Sequence, residues 1–487
     1  MARSTLSSTN RLQSLIQEHW LMMVIVILAT FLRVWRLDSQ AIFFGDAAHD
    51  LLTAFEAVGK RELPLLGIAS SVPRFKQGPL TIWLEMLFYP FFGYHLLGYS
   101  LLFALINIGV LIGLYELLLV QINKKTALIA AGLFAFSPLA IAHARMVYHI
   151  TPLPLATVLF IWALVRLWLK KPWAHFWAAL AFAFMFQFEL AVFPLVFAIP
   201  YIWWKNKQRL SLKSLSQAVG GITLGLTPQI IYDLTHQFQQ LGGFGLWVGY
   251  RLGSFAIGDH APSVNKITTF VSSVTLYGGR IGAVNYYLGL LFLLLTALSI
   301  GWLTHKLLTQ NVPPLIEITL VCFYLLFLGY FVHGAPSEAY YPPFLVLLPI
   351  LLSYFFWRLD RTLKVRRLLL IGFMVWAFIN VIAVFQANFF VSTSHPFNYG
   401  PGVEEQRMII HLIKSHGAQE FYLRTTADGG TFASYFDNLR FWGKKEQLVE
   451  TATTPHVYFI ESKDSPLTSY PNFMKYSLLS RDVYRPL

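Results

Sequence analysis

The sequence predicts an all-α polytopic membrane protein of about eleven membrane-spanning helices, with helices in an outer loop and a small α/β domain at the C-terminus. Three observations predict this fold class. Hydrophobic residues fill 56% of the 487 positions and charged residues only 13%, about half the charge of an ordinary soluble domain. Long apolar runs recur through residues 1–388. The basic residues behind the net charge of +13 lie mostly at the ends of those runs, as cytoplasmic loops require.

The same composition excludes several classes of protein. The chain is too apolar for a disordered protein and lacks the repeats of a collagen-like one. Its single cysteine, Cys322, lies in an apolar run, so no disulfide within the chain and no thiolate metal cluster can form. No basic stripe lies on a polar element, so we do not expect nucleic-acid binding.

Each bilayer crossing needs about 20 mostly apolar residues in a helix. Eleven apolar runs are candidate spans, counting the long run 174–204 as two halves that divide at Gln187–Glu189, each of which is short for a full span. The predicted spans are 20–37, 95–120, 126–142, 151–169, 174–188, 189–204, 215–233, 285–304, 314–332, 340–357 and 368–388.

The orientation follows from the Lys and Arg residues of the short loops, which mark the cytoplasmic side. These loops contain Arg3 and Arg11, Lys124–Lys125, Lys170–Lys171, the four basic residues in 205–213, Lys306, and the five in 358–367. Their alternation places loops 38–94, 143–150, 234–284 and 333–339, and the tail, outside the cytoplasmic membrane. Arg33 and Arg36, at the outer end of the first span, go against the rule. No small-residue cleavage site follows that span, so we expect it to remain as an anchor.

Outer loop 38–94 is predicted to contain two helices, at about 47–60 and 79–92. The second is too short to cross a bilayer and is expected to lie in the outer interface. The chain is predicted to divide into a membrane domain, 1–388, and a small extracytoplasmic domain, 389–487. In the latter, residues 403–415 have helical periodicity, 420–424 and 456–460 are typical of strands, and Asp428-Gly-Gly indicates a turn.

Polar residues at the ends of membrane spans are functional candidates because burying them is costly. In this chain they gather on the predicted outer side, and any site is therefore expected to open outward. They are Asp46, His49, Asp50, Arg74, Lys76, His143, Arg145, His149, Glu189, Asp233, His333 and Glu338.

Structural explanations stay open beside the functional ones. Asp46, His49 and Asp50 share one helix face through their i, i+3, i+4 spacing. Asp46 could be a helix N-cap, or the three together could bind a divalent metal, although no fourth ligand follows nearby. Glu189 could be a solvated turn residue. His333 and Glu338 could be loop residues and no more, and Arg74 and Arg145 could be headgroup anchors.

Several short motifs follow one another in a characteristic order. The first outer loop contains Leu32-Arg-Val-Trp-Arg-Leu37, Gly45-Asp-Ala-Ala-His-Asp50, Leu65-Leu-Gly-Ile-Ala-Ser-Ser71 and Gln77-Gly-Pro-Leu80, and later come Phe136-Ser-Pro-Leu139, Ala144-Arg145 and Tyr340-Tyr-Pro-Pro343. Over residues 20–390 the sequence resembles the GT-C membrane glycosyltransferases, in the group with protein mannosyltransferases and aminoarabinose transferases.

That resemblance implies a GT-C-like helix bundle and a sugar donor linked to a polyprenyl phosphate. It implies an acceptor hydroxyl or amine on a lipid, glycan or protein at the outer face. It also makes Asp46 the catalytic carboxylate. Many members have Asp-Glu at this point, whereas this chain has Asp46-Ala47, so the role of the second carboxylate is absent or has moved to Asp50.

The mechanism expected from this reading is inverting glycosyl transfer with Asp46 as the base, through an oxocarbenium-like transition state. The departing phosphate needs positive charge or hydrogen-bond donors, for which Arg74, Lys76, Arg145 and His333 are the candidates. We expect His49, Asp50, Glu189 and Glu338 to contact substrate as well. No cofactor is expected, although a divalent metal stays open. Two alternatives remain: a transporter or flippase of a lipid-linked sugar, and a non-catalytic envelope assembly subunit.

Overall fold

The computed structural model describes residues 8–70, 72, 75–208, 211–257, 266–334, 336–386, 402–424, 436–451, 453–462, 473–478 and 481–486. Two predictions fall outside these ranges: the placement of Arg74, and the turn at Asp428-Gly-Gly.

The first half of the chain is helical nearly throughout. Its elements are α1 (Ser8–Val34), α2 (Leu37–Gln40), α3 (Gly45–Lys60), α4 (Leu80–Phe92), α5 (Leu96–Gln121), α6 (Lys124–Ala135), α7 (Pro138–Ala144), α8 (Leu153–Trp168), α9 (Ala174–Phe188), a 3₁₀ helix (Leu190–Phe197) and α10 (Ala198–Lys205).

The second half continues in the same way as far as the tail. Its helices are α11 (Leu212–Gly225), α12 (Thr227–Thr235), α13 (Gln239–Ile257), α14 (Lys266–Ser273), a π-helical turn (Val274–Gly278), α15 (Gly279–Gly282), α16 (Tyr286–Thr309), α17 (Pro314–His333), a 3₁₀ turn (Glu338–Tyr340), α18 (Phe344–Leu363) and α19 (Arg366–Gln386).

Among the described residues, five helices are long and apolar enough to cross a membrane: α1, α5, α16, α17 and α19. The bent pair α6–α7 raises this number to six if it forms one span. Other predicted spans correspond to shorter apolar helices, including α8 and α9. The helical membrane bundle is thus present, while the total of eleven crossings stays a prediction.

Two of the predicted spans are not single helices. The run 126–142 is divided into α6 and α7, which meet at 65°. Pro138 lies in the first turn of α7, where proline is tolerated, and the Ser137 side chain caps that helix by accepting a hydrogen bond from the amide of Ala140. The run 215–233 is divided in the same way into α11 and α12, with Pro228 in the first turn of α12. Both runs were predicted as single spans because their residues are apolar throughout, and hydropathy does not reveal where a helix breaks.

The two helices predicted in the first outer loop are present as α3 and α4. They pack against one another and α4 packs on the start of α5. The loop predicted at 234–284 is more ordered than its sequence suggested, since it contains α13, α14 and α15. Helix α13 was not predicted because five of its 19 residues are glycines.

The tail is a small α/β unit, as predicted. It consists of α20 (Val403–Ser415), β1 (Glu420–Arg424), α21 (Asp437–Lys445), β2 (Val449–Glu450), β3 (Val457–Ser462), β4 (Phe473–Ser477) and β5 (Arg481–Pro486). The strands form one mixed sheet in the order β2-β1-β3-β5-β4. The pairs β1–β2 and β1–β3 are parallel, whereas β3–β5 and β4–β5 are antiparallel.

The tail packs directly on the first outer loop. Phe43 and Phe55, before and within α3, share one hydrophobic core with Phe441 and Trp442 of α21. The ring centroids of Phe43 and Phe441 are 5.0 Å apart. Gln406 of α20 donates a hydrogen bond of 2.6 Å from Nε2 to the backbone carbonyl of Phe43. The loop and the tail therefore lie on the same side of the helix bundle.

The bundle also explains why Arg33 goes against the charge rule. Its side chain is fully buried and donates from Nε to Oδ1 of Asn107 at 2.7 Å. A terminal nitrogen of the same guanidinium donates to the carbonyl of Ala135 at 3.1 Å. Because this charge is satisfied inside the protein, it ties α1 to α5 and α6 and does not mark a cytoplasmic loop.

Candidate active site

The position of Asp46 follows from how the chain enters α3. The strand-like segment before the helix pairs with the segment after α7, through a parallel bridge between Ile42 and Met146. The amide of Ile42 donates to the carbonyl of Arg145 at 2.8 Å. Helix α3 then begins at Gly45, its N-cap residue is Phe44, and no side chain caps it. The N-cap interpretation of Asp46 is therefore wrong: the residue lies inside the first turn.

Tyr148 packs against the residue that precedes α3. Its ring packs edge-on against Phe44, with centroids 4.8 Å apart. Burial holds the pKa of the Tyr148 hydroxyl well above its usual range, and the nearby carboxylates of Asp46, Glu189 and Asp50 raise it further. The hydroxyl is thus a neutral hydrogen-bond donor on which the charges of three carboxyl groups act. We call these four residues, together with His149, the Tyr148 cluster.

Asp50 of this cluster forms a buried acidic pair with Glu85 of α4. Asp50 is 1% exposed, and one of its oxygens, Oδ2, lies 3.6 Å from Nδ1 of His149. Glu85 of α4 is fully buried, and burial, followed by the charge of Asp50, raises its pKa well above the usual value. Neither carboxyl group has a hydrogen-bond partner among the described residues, and the same holds for the nearby hydroxyls of Tyr99 and Ser100. Two buried carboxyl groups so close cannot both be ionised at low cost.

Glu189 is held at the end of α9. It is only 5% exposed, so the solvated-turn interpretation is wrong. Its Oε1 accepts hydrogen bonds from the amide of Ala191 at 3.1 Å and from Nε2 of Gln77 at 3.4 Å. The adjacent Gly78 donates from its amide to the carbonyl of Gln187 at 2.8 Å. A Cβ atom on Gly78 would lie 1.4 Å from Oε1 of Gln187, so a larger residue there would displace the Gln187 side chain.

Glu338 lies between two basic groups. Its Oε1 is 3.1 Å from Nε2 of His143, which is fully buried. Its Oε2 accepts a hydrogen bond of 2.6 Å from Nη1 of Arg280, on α15. Glu338 therefore joins the segment after α17 to both α7 and α15. Sequence reasoning selected Glu338 and His143 but missed Arg280, which lies in a loop whose helices were not predicted.

His333, at the end of α17, belongs to the neighbouring aromatic group. Its Nε2 is 3.5 Å from the hydroxyl of Tyr340, and its ring lies 6.1 Å from that of Trp247 on α13. Tyr340 also contributes to the raised pKa of Tyr148, which relates this aromatic group to the Tyr148 cluster.

The predicted phosphate ligands behave differently from one another. Arg145 is fully buried, and its terminal nitrogens donate to the backbone carbonyls of Arg33 at 3.0 Å and Gln40 at 3.2 Å. These partners are backbone groups at the end of α1 and the end of α2. Lys76 is exposed at the edge of the loop, and its amide donates to Oε1 of Gln240 at 2.8 Å.

His49 points toward the tail. Its Nδ1 lies 2.9 Å from Oδ2 of Asp437, the first residue of α21. This hydrogen bond is the largest cause of a raised His49 pKa. Sequence reasoning selected His49 but gave no reason to select Asp437, because the two residues are 388 positions apart.

The structure brings some of the predicted residues together in two groups, while Lys76, Arg145, His333 and His49 contact other parts of the protein. Asp46, Asp50 and Glu189 join in the Tyr148 cluster, and His143 joins Glu338. Tyr148 and Glu85 were missed. Glu85 gave the same signal as Glu189, a charge within an apolar run, and could have been found. No group of three His, Cys, Asp or Glu side chains in the described ranges is arranged to hold a metal ion.

Comparison with known protein families gives one match. The family model described as dolichyl-phosphate-mannose-protein mannosyltransferase matches residues 76–232, which include Lys76, Arg145, Tyr148 and Glu189. A comparison with curated protein sequences gives no match.

Comparison with solved structures extends the likeness to nearly the whole chain. ArnT from Cupriavidus metallidurans, bound to undecaprenyl phosphate, is 12% identical at a TM-score of 0.58, over 96% of this chain and 98% of that one. The apo oligosaccharyltransferase of Archaeoglobus fulgidus is 12% identical at a TM-score of 0.50, over 92% of this chain and 70% of that one. The chain therefore shares its fold with these two proteins, and residues 76–232 resemble the mannosyltransferase family.

Proposed function

We propose that this protein transfers a sugar from a polyprenyl-phosphate-linked donor to an acceptor on the extracytoplasmic face of the membrane. Asp46 acts as the catalytic base, and the anomeric configuration is inverted. The observation that carries the proposal is the place of Asp46 in the first turn of α3, where its charge acts, with those of Asp50 and Glu189, on the Tyr148 hydroxyl. Carboxylates and a neutral phenol that influence one another are the groups that acid–base catalysis requires.

The choice of donor rests on the relatives. The matched family model is named for a dolichyl-phosphate-linked mannose, and the ArnT structure contains undecaprenyl phosphate. Apolar side chains exposed along α1, α16 and α19 suit a protein surrounded by lipid tails. A polyprenyl donor then reaches the site from the bilayer.

The reaction balances as a single displacement. The acceptor oxygen or nitrogen forms a bond to C1 of the sugar as its proton passes to the Asp46 carboxylate. The bond between C1 and the phosphate oxygen breaks, and its electron pair leaves with the polyprenyl phosphate. The phosphate gains a negative charge, so its departure is favoured by nearby cations and hydrogen-bond donors.

The candidates for these cations and donors are Lys76, Arg74 and Tyr148. Lys76 is exposed at the rim of the first loop, and Arg74 stands two residues before it. The Tyr148 hydroxyl, kept neutral by its surroundings, can donate to an oxygen of the sugar or phosphate. Arg145 supports the site indirectly, because it fixes the backbone that precedes α3.

A reconstituted assay tests this function against transport. The protein in proteoliposomes receives undecaprenyl-phosphate-linked sugars carrying a radioactive label in the sugar. Membranes from cells that lack the protein supply the acceptor. We expect label in the acceptor fraction and release of an equal amount of undecaprenyl phosphate. Movement of intact donor between leaflets, without any such release, would instead identify a flippase.

A further inference from the structure

The C-terminal unit contacts the first turns of α3 through one buried carboxylate, that of Asp437. His49 follows Asp46 by three residues, and its Nδ1 lies 2.9 Å from Oδ2 of Asp437. The Asp437 side chain is only 8% exposed, whereas that of His49 is 45% exposed. One edge of the imidazole is therefore fixed to the tail, and its opposite edge is open to solvent or a ligand.

Asp437 is itself held in place from within the tail. Its Oδ1 accepts a hydrogen bond of 2.5 Å from Nη1 of Arg440. A second nitrogen of that guanidinium donates to Oε1 of Glu450 at 3.2 Å. A nearly buried carboxylate is tolerated only when it is well paired, and these contacts hold the Asp437 side chain in one orientation.

The surrounding interface makes this contact a rigid one. Phe441 packs against Phe43 and Phe55 at centroid distances of 5.0 and 6.0 Å. Trp442 donates from Nε1 to Oε1 of Gln406 at 2.9 Å. Because the tail shares a packed core with α3, Asp437 cannot move relative to His49 without disturbing that core.

The contact determines the protonation of His49. The charged groups that act on it are Asp437 from α21 and Asp46 and Asp50 from α3, and all three raise its pKa. A hydrogen bond from Nδ1 to a carboxylate places a proton on that nitrogen. The raised pKa favours a second proton on Nε2, at the open edge of the ring, where His49 becomes a cationic donor.

We propose that Asp437 of the C-terminal unit is a positioning residue for transfer: it holds His49 as a cationic hydrogen-bond donor, one helical turn from Asp46. His49 then donates from Nε2 to the phosphate group of the donor as negative charge develops on it. The C-terminal unit thereby contributes to the reaction without touching substrate. This inference rests on the proposed function, because it assigns His49 a role in that same site.

The decisive variant is Asp437→Asn, which keeps the size of the side chain and an oxygen that accepts from Nδ1 but removes the charge. A cationic His49 is lost as pH rises through its pKa. The variant should therefore lose kcat/KM on the alkaline side, with a profile shifted to lower pH by about one unit. Activity above both pKa values would fall by up to roughly tenfold. At acid pH the variant should match the parent.

Two further variants separate this role from a structural one. Lys414→Gln breaks an exposed ion pair of 2.6 Å with Glu446 in the same unit, away from His49, and should leave the profile unchanged. Asp437→Asn added to His49→Gln should cause no further loss. Equal loss at every pH in Asp437→Asn would overturn the proposal, because it would indicate only a disturbed interface.

A second readout does not depend on transfer. Ring-labelled histidine in the full-length protein, in nanodiscs, allows His49 to be titrated by NMR, with His49→Gln identifying its signal. We expect its pKa to fall in Asp437→Asn and to stay unchanged in Lys414→Gln. An unchanged His49 pKa in Asp437→Asn overturns the positioning role even if transfer is observed. A fall without any detectable transfer would count against the proposed function instead.

Discussion

Arg145 donates a hydrogen bond from Nη1 to the backbone carbonyl of Arg33 at 3.0 Å, across 112 positions of the chain. Its Nη2 donates to the carbonyl of Gln40 at 3.2 Å, and its own carbonyl accepts from Ile42. One buried side chain thus anchors the whole passage from α1 to α3. Asp46 lies at the end of that passage, so its position depends on Arg145.

Replacing Arg145 with Ala should therefore lower the free energy of unfolding, and it should not act on donor binding directly. Each lost hydrogen bond from a charged group is worth about 1.5–3 kcal/mol, so we expect destabilisation of roughly 3 kcal/mol or more. Thermal unfolding of the detergent-solubilised protein measures it, and Arg145→Lys should recover only part. An Ala variant of parental stability with a raised KM for the donor would restore Arg145 as a phosphate ligand.

Lys76 should act on the donor directly. It is exposed beside the first loop, so Lys76→Ala should leave unfolding unchanged. A charged hydrogen bond to phosphate is worth roughly 1.5–3 kcal/mol, and we expect kcat/KM for the lipid donor to fall about 10- to 150-fold. Arg74→Ala is expected to act in the same way. The control is Lys60→Ala, which removes an exposed cation paired with Glu56 on the far end of α3. Equal effects of Lys60→Ala and Lys76→Ala would indicate only general surface charge.

Glu85 should make stability depend on pH. Burial and the charge of Asp50 raise its pKa in the folded protein, so the folded state binds its proton more tightly than the unfolded state does. Its contribution is complete below the ordinary value of 4.5 and is lost as pH rises through the raised pKa. Glu85→Gln has no proton to lose, so its melting temperature should decline less toward alkaline pH. Identical pH dependence in the two proteins would show that Glu85 is not held neutral.

The loop and the tail should both be reachable from outside the cell. A background with Cys322→Ala removes the buried cysteine. Single cysteines then replace Glu62 after α3, Met474 in β4 and Lys171 after α8, all exposed positions. A membrane-impermeant maleimide should label the first two in intact cells and the third only after permeabilisation. Labelling of Lys171→Cys alone in intact cells would invert the orientation and the proposed face of transfer.

Local sequence patterns were sufficient to predict three helices, the two in the first outer loop and α20. The loop helices and α20 were predicted because apolar periodicity and nearby turn residues determine a helix. The breaks before α7 and α12 were missed because each span was identified by its hydropathy, to which the break contributes nothing. α13 was missed because its glycines lower helix propensity, and tertiary packing overrides that preference.

The candidate site was predictable only in part, for a similar reason. Asp46, Glu189 and Glu338 stood out as charges at the ends of apolar runs. Their partners did not, because the contacts Arg280–Glu338 and Asp437–His49 join residues 58 and 388 positions apart. Arg145 was assigned to phosphate because sequence gives the charge of a side chain but not the carbonyls that it meets when buried.

The central claim is that Asp46 accepts the acceptor's proton, and Asp46→Asn in the reconstituted transfer assay tests it most directly. Asn removes the proton-accepting charge from the first turn of α3, at a cost to the helix of only about 0.3–1 kcal/mol, so the protein should remain folded and bind donor as before. Loss of a general base typically costs about 10²–10⁴-fold in rate, and we expect kcat to fall by that amount. Asp50→Asn, one turn further along, should lose less. Parental kcat in a folded Asp46→Asn protein would contradict the account.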